Sequence, residues 1–249
     1  MGGRRKEQYL LETTGSRYLA VVYSVIDAIE KNYDESFDLL EVGIPAYLLS
    51  PSDTLELLNS GHQELVVRVN VPTIRGILGE YETREGPVIV IESDPECSCE
   101  SLLSSLYRIA PAKAIQADSS LIRNSAQATA SGGSEYMYIY SDGGLLVVLE
   151  GERGYVRIPF VRAVMSVHTH PGGPCGLSLA DVRSGLDLLS EGGLAEAAAL
   201  TRCAFIMYRE GLVLEDDYIK LIGLKGRKRD LFIPGRIPLK SIAFQVVYF

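Results

Sequence analysis

The hydrophobic residues in the second half of the chain change from strand spacing to helix spacing and back. Apolar and polar residues alternate over residues 135–140, which predicts a half-buried strand, and residues 145–149 form a second strand-like run. Apolar residues recur at helical spacing over residues 179–190, and another helix is predicted over residues 119–130, before a pair of glycines. Further strand-like runs cover residues 162–167, 195–200, 203–208 and 212–215. This order of elements predicts an α/β fold.

The first half of the chain carries a separate series of elements. Apolar residues at helical spacing predict an amphipathic helix over residues 17–31. Other predicted elements are strands at residues 42–49, 64–70 and 87–91, a short helix that starts within residues 50–53, and a helix at residues 99–109. A boundary near residues 110–118 divides the chain into an N-terminal α/β or α+β module, residues 1–112, and a C-terminal domain, residues 113–249.

The last eight residues, 242–249, are apolar almost throughout. An exposed apolar strand edge invites aggregation. We therefore expect this segment to be buried in a core or an interface.

The composition is that of a globular protein without a dominant basic surface. Of the 249 residues, 47% are hydrophobic and 22% are charged, which excludes a disordered chain. The net charge of −8 argues against nucleic-acid binding. The longest apolar stretches are interrupted by polar residues and are too short to span a bilayer. Four cysteines without the spacing of a disulfide framework fit a reducing interior, so we expect a cytoplasmic protein.

Two of the three histidines lie at the end of a predicted strand. His168 and His170 follow the apolar run of residues 162–167, and residues two apart on a strand point to the same face of the sheet. Both imidazoles can therefore approach one ion. The Pro-Gly-Gly-Pro sequence at residues 171–174 then forces the chain out of the strand and into a turn.

A serine and an aspartate follow the histidines at fixed offsets. Ser178 precedes a predicted helix and Asp181 lies in its first turn, so both face back toward the histidines. The same pair is typical of an ordinary helix N-cap, and the two interpretations are compatible. Two neutral imidazoles and one carboxylate suit a divalent metal, zinc first, with a fourth position left for water. An open position indicates catalysis rather than a structural site.

This segment resembles the JAMM metalloproteases of the JAB/MPN superfamily. The motif of that family is His-x-His, seven residues, Ser, two residues, Asp, and His168, His170, Ser178 and Asp181 match every fixed position. The wider sequence His-Thr-His-Pro-Gly-x-x-Cys-x-Leu-Ser-x-x-Asp is similar to the deubiquitinating subunits of the family. The chain departs from those subunits at Gly176, where they carry a tryptophan.

The resemblance covers about residues 115–249 and implies a fold, a cofactor and an activity. The fold is a JAB/MPN, cytidine-deaminase-like domain with a central twisted sheet flanked by helices. The cofactor is one Zn²⁺ per chain, held by His168, His170 and Asp181. The activity is hydrolysis of the isopeptide bond between the C-terminus of a ubiquitin-like protein and a lysine, with Ser178 donating a hydrogen bond to the oxyanion.

The family also uses a glutamate that precedes the histidines as general base and general acid. Glu135, the first residue of a predicted strand, is our candidate for this role. Glu150 and Glu152 are rivals, but residues 150–154 are typical of a hairpin turn that leads into a strand at residues 155–158. Glutamates in turns usually serve only to keep the turn hydrated.

Three functions stay open at this point. The leading one is a zinc isopeptidase whose partner is a ubiquitin-like protein conjugate. The second is a zinc hydrolase of the same fold that acts on other peptides or amides. The third is a non-catalytic MPN scaffold, against which the complete ligand set argues. The N-terminal module could form a homodimer or bind a partner in a complex.

The cysteines are expected to lie outside the chemistry. Cys175 falls within the motif, but a fourth protein ligand would close the metal site, and His62, the remaining histidine, is distant in sequence. Cys97 and Cys99 form a lone Cys-x-Cys that could bind a soft metal or oxidise. The favoured interpretation is free thiols in a turn on the solvent side.

Overall fold

The computed structural model describes residues 8–82, 87–151, 162–226, 230–235 and 237–249, which contain twelve strands and six helices. The strands are β1 (Gln8–Leu11), β2 (Gly43–Ile44), β3 (Glu64–Val69), β4 (Gly76–Glu82), β5 (Val88–Ser93), β6 (Ser101–Leu102), β7 (Glu135–Ser141), β8 (Leu146–Gly151), β9 (Ala163–Thr169), β10 (Ala195–Ala199), β11 (Cys203–Arg209) and β12 (Ile242–Tyr248). The helices are α1 (Thr14–Lys31), α2 (Pro51–Leu58), α3 (Leu103–Ala117), α4 (Ser119–Ala130), α5 (Leu179–Ser190) and α6 (Glu215–Ile222). None of these helices has the length and apolarity needed to cross a membrane.

Seven strands form a central mixed sheet in the order β1-β8-β7-β9-β10-β11-β12. Strands β9 and β10 are parallel, and all other neighbouring pairs in this sheet are antiparallel. A parallel pair needs a crossover connection, and α5 supplies it. The loop from β9 therefore leads into the N-terminus of α5. The predicted α/β class with a central sheet is confirmed.

Helices cover both faces of the central sheet. Helices α1 and α4 pack on β7 and β9, whereas α5 packs on β9, β10 and β11. On β10, Ala197 belongs to the first hydrophobic core and Ala198 to the core beneath α5. Neighbouring residues on a strand face opposite sides, so the two cores lie on opposite faces of the sheet. His168 is the register partner of Ala198 and therefore lies on the α5 side.

Helix α1 lies between the central sheet and a three-stranded sheet of order β3-β5-β4. Its buried residues include polar ones such as Ser16, Ser24 and Asp27. The predicted amphipathic helix is therefore wrong in one respect, because the second sheet covers the face that would otherwise meet water. Thr13 caps the helix through a capping box.

The predicted division at residue 112 falls inside α3, which continues through Pro111 to Ala117. Strand β1 pairs with β8 of the central sheet, and residues from both halves of the chain share the largest hydrophobic core. The two-domain division stays a prediction, but contacts join the chain on either side of it.

Three predicted elements are wrong in extent or type. Of the predicted strand at 42–49, only Gly43–Ile44 is extended, and Ala46–Leu49 forms a 3₁₀ turn after Pro45, which has no N–H for a sheet ladder. Residues 212–215 are not a strand; they lead into α6, whose first turn holds three acidic residues that favour a helix N-terminus. The helix predicted at 99–109 starts four residues later and runs on to Ala117.

The cysteines form two disulfides, so the prediction of free thiols is wrong. Cys97 is paired with Cys99, and Cys175 with Cys203. Cys175 is thereby removed from the roles of nucleophile and metal ligand, in agreement with its interpretation from the sequence. The cytoplasmic location stays a prediction.

The C-terminal segment forms β12, an edge strand paired with β11. Ile242 and Val247 are buried, as expected for this segment. Tyr248 is 77% exposed, so the end of this edge strand is only partly covered.

A buried ion pair joins α1 to β11. The guanidinium of Arg209, 1% exposed, donates to both carboxylate oxygens of Glu30 and to the carbonyls of Gly192, Gly193 and Gly211. Every donor group of the arginine is thus directed at an oxygen, and the pair ties the first helix to the far half of the sheet.

Replacing Glu30 with Gln should lower the free energy of unfolding by about 3 to 5 kcal/mol, because the charge of Arg209 stays buried without its counter-ion. The control is Glu92→Gln, which breaks an exposed pair with Arg68 and should change stability by less than about 1 kcal/mol. Urea unfolding of the two variants measures the difference. Equal losses would show that the buried pair does not hold the two halves together.

Candidate metal centre

Strand β9 brings the two histidines to one edge of the central sheet. His168 is the next-to-last residue of β9, and His170 follows directly after Thr169. The backbone N–H of His170 donates to the carbonyl of Ala199 at 2.9 Å, which continues the β9–β10 pairing by one residue. The Nε2 atoms of the two imidazoles lie 2.9 Å apart. The rings therefore meet at one point, as their spacing predicts.

The chain turns sharply after β9 and enters α5 through a capping box. Gly173 has a φ of +112°, a conformation that favours glycine. Ser178 is the N-cap of α5: its hydroxyl accepts a hydrogen bond from the N–H of Asp181 at 3.2 Å. The carboxylate of Asp181 accepts one in return from the N–H of Ser178 at 2.7 Å. This reciprocal pair fixes the rotamer of Asp181.

The carboxylate of Asp181 points at both histidines. Oδ1 lies 3.2 Å from Nε2 of His168, and Oδ2 lies 3.3 Å from Nε2 of His170. Ligand atoms of the three side chains all lie within 4.8 Å of one another. The side chains are 17%, 23% and 17% exposed for His168, His170 and Asp181, so solvent reaches the point where they converge.

The spacing of these donors fits a small divalent ion. In a tetrahedral site with bonds of about 2.0 to 2.2 Å, neighbouring donors lie roughly 3.3 to 3.6 Å apart. The two Nε2 atoms, 2.9 Å apart, are closer than this, whereas the carboxylate of Asp181 approaches them through different oxygens at 3.2 and 3.3 Å. One ligand atom from each of the three side chains lies within 4.8 Å of the others, so a small separation of the two rings would make room for an ion, and three protein ligands would leave one coordination position open.

In the metal-free protein, the imidazole of His168 lies between two carboxylates. Burial acts to lower its pKa, but hydrogen bonds to Asp181 and Glu196 outweigh burial and raise the pKa of His168 from 6.5 to about 10. Burial also acts to raise the pKa of Asp181, but its bonds to His168 and His170 hold that pKa well below its usual range. At neutral pH a proton therefore occupies part of the site.

Glu196 belongs to this site, and the sequence reasoning missed it. Its Oε1 lies 2.9 Å from Nδ1 of His168, and its Oε2 accepts a hydrogen bond from the hydroxyl of Ser166. The signal in the sequence was present but weak: Glu196 is the one charged residue of the otherwise apolar strand β10. A charged residue inside a strand whose every residue is buried needs a partner.

Glu135 is the first residue of β7 and is half-buried. Met137 is the register partner of His168, so Glu135, two residues earlier on the strand, points to the same face as the histidines. Among the residues that the structure describes, none forms a hydrogen bond or ion pair with its carboxylate.

The two other candidate glutamates from the sequence are Glu150 and Glu152. Glu150 is part of β8, so the predicted turn at this point is wrong, because β8 continues to Gly151. Glu150 pairs with Tyr136, whereas Glu135 pairs with Gly151, so the side chain of Glu150 points to the face away from the histidines. Glu152 and the strand predicted at 155–158 lie outside the described residues.

The loop between the histidines and α5 is held from two sides. The disulfide attaches Cys175 to the start of β11, and the N–H of Phe232 donates to the carbonyl of Leu177 at 2.8 Å. Leu231 packs over Gly176, where an added Cβ would come within 2.7 Å of its side chain. A larger side chain at Gly176 would require Leu231 to move, so the departure from the JAMM pattern at this position is accompanied by a neighbouring leucine that occupies the space.

The stability of the metal-free protein should fall as the pH rises from about 6.5 to about 10. In this range the folded state keeps a proton on His168 that the unfolded state has lost, so one group contributes a slope of up to about 1.4 kcal/mol per pH unit. Below the pKa of His168 in the unfolded state, its contribution to the free energy of unfolding is fully present. Urea unfolding at several pH values in the presence of a chelator, compared between wild type and His168→Gln, measures this contribution. The exposed His62→Gln variant is the control and should keep the slope.

The chain was also compared with known proteins. Comparison of the chain with protein-family models, curated proteins and solved structures found no match. The chemistry of the site therefore has to be argued from the donor atoms and their surroundings.

Proposed function

We propose that this protein is a zinc-dependent metallopeptidase of the JAMM type that hydrolyses isopeptide bonds of ubiquitin-like protein conjugates. The proposal includes a JAB/MPN, cytidine-deaminase-like fold for the central sheet and its helices. One observation carries it: Nε2 of His168, Nε2 of His170 and the carboxylate of Asp181 converge at a solvent-accessible point beside Ser178. Residues that match a catalytic motif in sequence thus also meet in space.

Each ligand has a defined part in this proposal. His168 and His170 would bind zinc through Nε2, and Asp181 through a carboxylate oxygen. Zinc, when bound, supplies Lewis acidity and makes water more acidic at this point. A divalent ion held by this ligand set would keep a net charge of about +1, because only one of the three ligands is anionic. The three side chains are partly exposed, so a substrate carbonyl could approach an ion held by them.

Glu135 is the proposed general base and acid. Its carboxylate would accept a proton from the attacking water and pass it to the nitrogen of the scissile bond. The C–N bond can then break with release of a neutral amine. Its place on the histidine face of the sheet and its lack of a partner among the described residues support this role.

Ser178 is the proposed oxyanion donor. Its oxygen accepts a hydrogen bond from the N–H of Asp181, so its own O–H is still available to donate a hydrogen bond. The N-cap position puts this hydroxyl at the start of α5, beside Asp181. A hydrogen bond to the developing oxyanion is worth a few kcal/mol of the activation barrier.

The substrate class distinguishes the proposal from its alternatives. A ubiquitin-like dimer joined through a lysine isopeptide bond and a set of short peptides would be tested side by side. Cleavage of the dimer supports the isopeptidase. Cleavage of the peptides alone would reject it in favour of a hydrolase of other amides. A dialysed protein that binds no zinc and cleaves neither substrate would be a scaffold.

Replacing Glu135 with Gln should lower kcat by about 10²-fold or more while zinc content stays at one ion per chain, because the amide cannot take a proton. Hydrolysis assays and metal analysis of the same preparations measure the two properties. Glu150→Gln is the matched control on the opposite face of the sheet and should keep full activity. Full activity of the Glu135 variant would remove this residue from its role.

Replacing Ser178 with Ala should reduce kcat by about 10²- to 10³-fold with little change in KM, through loss of the oxyanion donor. It should also lower stability by about 1 kcal/mol, through loss of the helix cap. Ser50→Ala removes the N-cap of α2 and serves as the control for stability alone. If both variants lose the same stability and neither loses activity, Ser178 is only a cap.

A further inference from the structure

We propose that Glu196 is a positioning residue of the metal centre. Its carboxylate accepts a hydrogen bond from Nδ1 of His168, keeps Nε2 of that ring directed at the ion, and compensates the charge that the ion brings. This inference rests on the proposed function, because it requires a metal ion at the site. It adds a residue that the His-x-His and Ser-x-x-Asp pattern does not contain.

The register of two parallel strands places Glu196 beside the histidine. Glu196 on β10 is the register partner of Ser166 on β9, and Ser166 lies two residues before His168 on the same face. Oε1 of Glu196 lies 2.9 Å from Nδ1 of His168, and Oε2 accepts the hydroxyl of Ser166. Both carboxylate oxygens are therefore occupied, and the orientation of the group is fixed.

The carboxylate lies where water cannot reach it. Glu196 is only 2% exposed. Helix α5 packs against it at Gly185, where an added Cβ would lie 2.8 Å from Cβ of Glu196. A side chain larger than glycine would push the helix away from the strand, so the close approach seals the carboxylate inside the fold.

A buried carboxylate requires a positive partner, and the metal centre provides it. Among the described residues, the ion pair that Glu196 forms is with His168. A divalent ion with one carboxylate and two neutral imidazoles carries a net charge of about +1. The charge of Glu196 brings the total to zero, so the occupied centre is neutral within its protein surroundings.

The hydrogen bond also selects the tautomer of His168. A carboxylate accepts but does not donate, so the ring carries its proton on Nδ1 and offers the lone pair of Nε2 to the ion. Carboxylates in this outer position typically change metal affinity by 10- to 100-fold when they are removed.

The test compares zinc affinity, measured by competition with a chromophoric chelator, between wild type, Glu196→Gln and Glu196→Ala. We expect zinc to bind about 10-fold more weakly to the Gln variant, which keeps an acceptor but loses the charge, and about 100-fold more weakly to the Ala variant. The visible absorption of the Co²⁺-substituted protein should shift in the Ala variant, because the ring of His168 is then no longer fixed, and less in the Gln variant, which keeps the acceptor. Glu191→Gln, an exposed glutamate at the end of α5, is the control and should match wild type.

The outcomes separate this inference from the function on which it rests. Wild type that binds no zinc overturns both. Wild type that binds zinc, together with Glu196 variants of equal affinity and unchanged Co²⁺ absorption, overturns the positioning role alone. Circular dichroism checks that each variant is folded. If the Ala variant does not fold, Glu196→Gln and Ser166→Ala decide, because the second removes only the hydroxyl that orients the carboxylate.

Discussion

The parallel pairing of β9 with β10 is the constraint on which the site depends. Parallel neighbours cannot be joined by a tight turn, so the chain must leave the end of β9, form α5 and return to start β10. The crossover brings the first turn of α5, with Asp181, to the end of β9, where His168 and His170 lie. The register of the same pair sets Glu196 beside Ser166. One topological requirement therefore brings together both the candidate ligands and the carboxylate that contacts one of them.

The balance of charges explains how the buried acidic groups of this arrangement are tolerated without an ion. Without a metal, His168 lies between Asp181 and Glu196, and the hydrogen bonds to both carboxylates raise its pKa to about 10 despite burial. The resulting imidazolium satisfies two acidic groups that burial would otherwise destabilise. A divalent ion would take over this role and displace the proton. Metal and proton thus compete for the same position, and zinc binding should weaken as the pH falls.

Local sequence patterns predict much of the fold and the main ligands, because both depend on short-range geometry. The His-x-His pair and the Ser-x-x-Asp turn each follow from the periodicity of one element. The position of Glu196 depends on the register between two strands, and Glu196 is 28 residues from His168 in the chain, so no local pattern identifies it. The burial of α1 on all sides depends in the same way on a second sheet that pairs distant segments.

The hydrogen bonds that start α5 also prepare the site. Asp181 has two carboxylate oxygens, and the capping box uses Oδ2, which accepts the N–H of Ser178 at 2.7 Å. Oδ1 lies 3.2 Å from Nε2 of His168, and neither hydrogen bond of the capping box uses it. The helix terminus can therefore keep its cap while the other oxygen binds an ion. Because a cap of this kind stabilises the helix by about 1 kcal/mol, the ligand is held in position before any ion arrives.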